Sequence, residues 1–177
     1  TDDDNLDDYT EINGWRIDVE YMTNNESYIV FSNPADPDTD WDFLGDYDEW
    51  LYVSDPWNND TDKDNLSDYD EFWYGTSITD ADTDDDYLSD YDEVYGVNIT
   101  NPINNRTFSV NPDPWDPDTD DDGLLDGNET HGIYIRNIGF MQTDPTDEDS
   151  DDDGLSDFDE YSGVAIGSVI YLSLIHI

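Results

Sequence analysis

Residues 118–129 read DTDDDGLLDGNE, and residues 149–160 read DSDDDGLSDFDE in the same register. Acids stand at positions 1, 3, 5, 9 and 12 of a twelve-residue frame, with glycine at 6 and leucine at 7. Sliding that frame along the chain finds DTDWDFLGDYDE at 38–49, DTDKDNLSDYDE at 60–71 and DTDDDYLSDYDE at 82–93. The chain opens on TDDDNLDDYTE at 1–11, which enters the frame at its second position. Six copies in one register define a repeat protein.

The spacing has a chemical reading. Calcium is a hard cation that takes six to eight oxygens at ~2.3–2.6 Å. Carboxylates at alternate positions 1, 3 and 5 of a tight loop can converge on one ion. Position 7 offers a backbone carbonyl, so its side chain is free to be apolar. Position 9 adds an acid, and a glutamate at 12 closes the shell with both oxygens. The expected ligands are therefore Asp2, Asp4, Leu6, Asp8 and Glu11 in the first loop; Asp38, Asp40, Asp42, Leu44, Asp46 and Glu49 in the second; and Asp60, Asp62, Asp64, Leu66, Asp68 and Glu71 in the third. The fourth supplies Asp82, Asp84, Asp86, Leu88, Asp90 and Glu93; the fifth Asp118, Asp120, Asp122, Leu124, Asp126 and Glu129; the sixth Asp149, Asp151, Asp153, Leu155, Asp157 and Glu160. Acids at position 11 (Asp48, Asp70, Asp92, Asp159) and in the Asp-Pro lead-ins (Asp36, Asp116) offer oxygens for a second ion per loop. A solvated acidic face or a salt-adapted surface would scatter its acids and would not hold this register.

Position 6 favours glycine because the backbone turns sharply there. Only Gly123 and Gly154 comply, Asn5 and Asn65 are tolerable, and Phe43 and Tyr87 depart, so their two loops are expected to bind more weakly or to turn differently.

Composition agrees that something must neutralise the acid. The 177 residues carry 49 Asp plus Glu against 4 Lys plus Arg, a net charge of −45, with 34% hydrophobic residues. A chain of that kind without a counter-charge repels itself and stays unfolded. Aromatics nevertheless reach 14%, including 13 Tyr and 6 Trp, which a purely solvating tail would lack. Nucleic acid is excluded as a direct ligand, because almost no side chain can neutralise a phosphate. No run of ~18 apolar residues is present to span a membrane. There is no cysteine, so neither disulfides nor thiolate sites can staple a small core, and metal is the remaining device.

Between the loops, the leucines at position 7 read as one core residue per repeat, a one-turn helix is expected from position 9, and Gly14, Gly75, Gly96, Gly132 and Gly163 are placed to cap it. Loops two to four start 22 residues apart and run directly into one another. Longer gaps carry alternating apolar residues: GWRIDVEY and YIVFS around a polar TNNES turn, GVNIT with RTFSV, GIYIRNIGF, and GVAIGSVIY. These read as β-hairpins. The expected architecture is a calcium-stabilised repeat rod, with short EF-hand-like loops, one-turn helices, small β-hairpins and little regular secondary structure. Its segments are 1–37 (loop and hairpin), 38–81 (two short repeats), 82–117 and 118–148 (loop and hairpin each), 149–171 (loop and incomplete hairpin) and 172–177.

The loop DxDxDGLxDxxE with a GT and DxD re-entry resembles the microbial thrombospondin type 3 repeat, over most of the chain. The run Glu11-Ile12-Asn13-Gly14-Trp15 also resembles the calcium segment of protective-antigen-type binary toxins. The resemblance implies extended, calcium-dependent extracellular modules, sometimes with two ions per unit; the cysteines of the animal repeat are absent here.

The terminal LSLIHI, residues 172–177, resembles the translation of a common sequencing adapter, so a non-native tail on a fragment from environmental sequencing is expected. Sequons occur at Asn25, Asn59, Asn65, Asn98, Asn105 and Asn128. Asn25, Asn98 and Asn105 are the plausible glycan carriers, since they fall in hairpins, whereas Asn65 and Asn128 lie inside loops. Carboxylate pairs could suggest a glycosidase, but calcium claims the acids, and neither His131 nor His176 has a nucleophile at a telling spacing. The surplus aromatics read as packing of small cores, with a glycan- or partner-stacking surface as the other reading; Trp41 beside Phe43 is the best candidate for an exposed aromatic. The functional expectation is a non-enzymatic structural protein, extracellular or at the cell surface. It would form a surface layer, adhesin stalk or filament that self-associates head to tail, with glycans as further partners. The alternative is the calcium module of a secreted toxin or hydrolase.

Overall fold

The structure is a computed structural model that describes residues 2–101, 106–135, 139–163, 165–166 and 169–170. Each loop frame is followed by a helix that starts on its position-9 aspartate, as the spacing predicts: α1 (Asp8–Asn13), α2 (Asp46–Tyr52), α3 (Asp68–Tyr74), α4 (Asp90–Tyr95), α5 (Asp126–His131) and α6 (Asp157–Ser162). These helices are too short to hold themselves. Their acids sit in the first turn, where the helix dipole favours negative charge. Gly75 and Gly163 end α3 and α6 in the left-handed conformation. Helix α2 lacks a glycine there, and Val53 takes the left-handed position instead, at φ 69°.

Four antiparallel hairpins occupy the longer gaps. They are β1 (Trp15–Tyr21) with β2 (Asn24–Val30), β3 (Val97–Asn101) with β4 (Arg106–Val110), β5 (Ile133–Ile135) with β6 (Gly139–Met141), and β7 (Ala165–Ile166) with β8 (Val169–Ile170). In the first hairpin the polar run read as a turn belongs to the strand. Tyr21 pairs with Asn24, so Met22 and Thr23 alone make the turn, and Asn25 lies opposite Glu20. The reason is that residues 24–27 are all solvent-exposed. A polar sequence suits a strand end that faces water as well as it suits a turn. Ser27 there hydrogen-bonds Asp18 across the ladder.

The chain forms two compact units, one of residues 1–83 with 89–91, the other of 84–88 with 92–177. In the first unit Ile17, Val19 and Val30 are buried and packed by Trp15, Tyr21 and Tyr28. The hairpin then reaches the later repeats. Trp15 Nε1 donates to the Ser54 carbonyl at 3.3 Å. Glu20 pairs with the segment before the fourth loop, its N–H donating to Thr79 O at 2.7 Å and its carbonyl accepting from Ala81 N at 3.0 Å. In the second unit Ile99, Val110 and Met141 are buried, and Thr100 N donates to the Gln142 side chain at 2.9 Å.

The position-7 leucines Leu44, Leu66, Leu88 and Leu124 are buried, as one core residue per repeat requires; Leu6 and Leu155 are half-buried. The aromatics behave differently. Trp41, Phe43, Trp57, Trp73 and Trp115 are all more than half exposed. Trp41 and Phe43 are thus exposed as expected, and most of the aromatic surplus lies on the surface.

Val53 is 40% exposed, so replacing it loses little burial. A β-branched side chain in the left-handed region costs about 1–2 kcal/mol. Val53→Gly is expected to stabilise the chain by roughly 1 kcal/mol in chemical denaturation, net of the added backbone entropy.

Candidate metal centre

Each loop is built by its own aspartates. The position-1 side chain holds the backbone at the bend: Asp38 accepts from Trp41 N at 2.7 Å and Phe43 N at 3.2 Å, and Asp118 and Asp149 accept from Gly123 N and Gly154 N at 3.0 and 2.6 Å. Position 3 accepts the N–H of position 5, as Asp40 does from Asp42 at 3.2 Å. Position 5 accepts the N–H of position 7 in all six loops, from Leu6, Leu44, Leu66, Leu88, Leu124 and Leu155. Under these ties the backbone is left-handed at position 4 as well as at position 6. Trp41, Lys63, Asp85, Asp121 and Asp152 occupy the former at φ 60–69°. Phe43 and Tyr87 adopt φ 86° and 81° at position 6, beside Gly123 and Gly154 at 103° and 95°. Of the two alternatives expected of the aromatic loops, weaker binding or a different turn, the backbone does not take the different turn. The Asp38 carboxylate, accepting from the N–H of Trp41 and of Phe43, holds Phe43 in the conformation that glycine takes freely.

At positions 3 and 5 these bonds use Oδ1, and in several loops Oδ2 is left bare. Asp2 Oδ2, Asp40 Oδ2, Asp62 Oδ2 and Asp120 Oδ2, all at position 3, are buried with no hydrogen-bond partner, as are Asp4 Oδ2 and Asp42 Oδ2 at position 5. The closing glutamates go further. Glu49 and Glu71 are 0% exposed, and neither of their carboxylate oxygens has a partner. Glu11 and Glu129 leave Oε2 unpartnered, while their other oxygen accepts from Ser32 Oγ at 3.4 Å and Thr143 Oγ1 at 2.8 Å. A buried carboxylate without a donor is among the most costly groups in a protein. Carboxylates converge here: Asp2, Asp4 and Glu11, and the triplets Asp38–Asp40–Asp42, Asp60–Asp62–Asp64, Asp82–Asp84–Asp86 and Asp118–Asp120–Asp122, each bring ligand atoms within 4.8 Å of one another.

The electrostatics follow. Burial, and then the aspartates at loop positions 3, 9 and 5, push Glu49 up to about 10; Glu71 rises to about 12 for the same reasons, and Glu129 to about 9. Burial and its neighbour Asp64 raise Asp62 to about 9. Among the described residues Lys63 opposes the rise of Asp60, at position 1 of the third loop. The ion pair Arg16–Asp18, at 3.0 Å, is exposed and away from the loops. The arrangement can hold a metal ion through hard oxygen ligands.

Position 9 has a structural task that spacing alone did not reveal. Asp46 Oδ1 accepts from Thr39 N at 2.8 Å and its Oδ2 from Thr39 Oγ1 at 2.7 Å. The same two-pronged contact joins Asp68 to Thr61, Asp90 to Thr83, Asp126 to Thr119 and Asp157 to Ser150. Each of those hydroxyls in turn accepts a lead-in N–H, from Asn33, Asp55, Ser77, Asp113 or Asp144 at 2.8–3.0 Å. The signal was visible as a Thr or Ser at position 2 of every complete loop. Position 9 also acts electrostatically on the loop before it: Asp46, Asp68, Asp90 and Asp157 are among the charges that raise the glutamates Glu11, Glu49, Glu71 and Glu129 of the preceding loops.

Neighbouring loops are tied directly. Asp64 Oδ2 accepts from Tyr91 N, Asp86 Oδ2 from Gly127 N and Asp122 Oδ2 from Phe158 N, each at 2.7 Å. A position-5 aspartate thus caps the next helix. At the Asp86 joint the approach is so close that a Cβ on Gly127 would lie 2.4 Å from Asp86 O. Of the candidate glycan carriers, Asn25 and Asn98 are exposed on β2 and β3, and Asn105 lies outside the described residues. No family model, curated protein or solved structure matches the chain.

Two outcomes are expected. Thr61 is 0% exposed, so Thr61→Val strips a donor from buried Asp68 and should cost about 1–3 kcal/mol in denaturant unfolding. The second concerns pH in the metal-stripped chain. Glu49, Glu129 and Asp62 titrate above their unfolded values, so the stability they permit is complete below ~4 and lost as pH rises towards ~10. Far-ultraviolet circular dichroism should show metal-free chain folded at low pH and unfolding as pH rises.

Proposed function

We propose that the loops bind calcium and that the bound ions hold the chain folded as a non-enzymatic structural protein outside the cell. The observation that carries this reading is the pair Glu49 and Glu71, wholly buried carboxylates whose four oxygens have no partner, each behind a loop of inward-turned aspartates. Divalent oxygen-seeking ions relieve that cost, and ordinary protein groups here cannot. Calcium is favoured over magnesium because a bidentate glutamate and a flexible loop carbonyl suit seven or eight ligands, whereas magnesium demands a strict octahedron and keeps its water.

In this reading the repeats form a stiff rod in a surface layer, adhesin stalk or filament, with copies associating head to tail. Supporting it are the one-dimensional repetition and the helix-capping ties from loop to loop. A second reading, the calcium module of a secreted toxin or hydrolase, draws on Glu11–Trp15. Gly14 in that run has φ 75°, and a Cβ there would sit 2.1 Å from Val30 O, so the glycine is needed where loop passes into hairpin.

Isothermal titration should show calcium binding in preference to magnesium with at least one ion per loop, and negative-stain microscopy should show elongated particles that collapse with chelator. Compact particles indifferent to chelator would sink the rod. Glu71→Gln offers a sharper test, because its effect changes sign. It should lower stability in calcium by roughly 2–3 kcal/mol and raise it in chelator, where it removes a buried acid.

A further inference from the structure

A cavity of about 340 Å³ opens in the first unit, away from the carboxylate groups. Tyr52 and Phe72 form one wall, their rings 5.3 Å apart at 67°, and both are substantially exposed. The chain from Thr76 to Thr79 forms the other, with Ile78 buried. That second wall is fixed. Ser77 N donates to Thr83 Oγ1 at 2.9 Å, Ser77 O accepts from Asp80 N at 3.1 Å, and Thr79 O accepts from Glu20 N at 2.7 Å. The Ser77 and Thr79 hydroxyls make no hydrogen bond among the described residues. In a chain with 49 acids among 177 residues, the lining holds no charged side chain. Two hollows at the tip of the first hairpin contrast with it, since both include Glu26 and Lys63.

We infer that this cleft binds a neutral pyranose ring of a glycan. Its volume is at the lower end of ligand clefts. An aromatic corner receives the apolar face of a sugar ring, and the hydroxyl-bearing residues of the other wall, Thr76, Ser77 and Thr79, with Thr76 Oγ1 buried and unpartnered, suit the ring's own hydroxyls. The charge of the whole chain repels anions. A cation finds no carboxylate in the lining, and a purely apolar guest leaves the hydroxyl wall unpaired. The fixed backbone means that little ordering is required on binding. This site lies beyond the cation reading and does not use its ligands.

The test is saturation-transfer NMR on the full chain in calcium-containing buffer. Methyl glucopyranoside, methyl mannopyranoside and methyl N-acetylglucosaminide are the probes, with tetramethylammonium and acetate as charged comparators. Transfer to the ring protons of at least one pyranoside is expected. Binding should weaken about tenfold in Phe72→Ala and in Phe72→Leu, with circular dichroism unchanged; the leucine variant keeps apolar volume and removes only the ring. No transfer to any pyranoside, equal binding by Phe72→Leu, or preferential binding of tetramethylammonium would overturn the assignment.

Discussion

Buried carboxylates without donors are the constraint on which everything else in this chain depends. Glu49 and Glu71 are enclosed with all four oxygens bare, and aspartate oxygens turn inward beside them. Folding brings these charges together and removes water from them, which is the most unfavourable thing electrostatics can ask of a chain. The fold is therefore conditional. Protons can satisfy it, as the upward displacement of Glu49 and Glu129 indicates, or cations can. In either case the acids are integral to the architecture and not a surface decoration.

The same aspartates carry two duties at once. In positions 3 and 5 one oxygen ties the loop backbone, and in several loops the other is left bare. Asp64, Asp86 and Asp122 go further and use that second oxygen to cap the helix of the next repeat at 2.7 Å. Position 9 clamps its own loop through a threonine or serine while bearing on the glutamate behind it. One loop thus bears on the next through direct contacts, which support the proposed calcium-stiffened structure. Apolar burial is a minor partner: one leucine per loop, plus the few residues under each hairpin.

Much of this was legible because the loop chemistry is local. Ligand spacing, the start of each helix at position 9 and the glycine caps all lie within a dozen residues. The readings that the structure altered turned on ambiguity of polar sequence and on side-chain ties to the loop backbone. Residues 24–27 look like a turn but are an exposed strand end. Phe43 and Tyr87 depart from the glycine of position 6, yet they take its left-handed backbone, and Asp38 accepts from the N–H of both Trp41 and Phe43.

By itself the sequence determined the repeat, its register, the oxygen-rich loops, the absence of thiol chemistry and the places where hairpins interrupt. All of these depend on neighbours along the chain. Tertiary structure alone decided that Glu20 would pair beside Asp80, that Asp64, Asp86 and Asp122 would cap the helix of the next repeat, and that Tyr52 and Phe72 would close an uncharged cleft with residues 76–79. Those outcomes depend on how one repeat packs upon another, and a twelve-residue pattern holds no record of what lies opposite it.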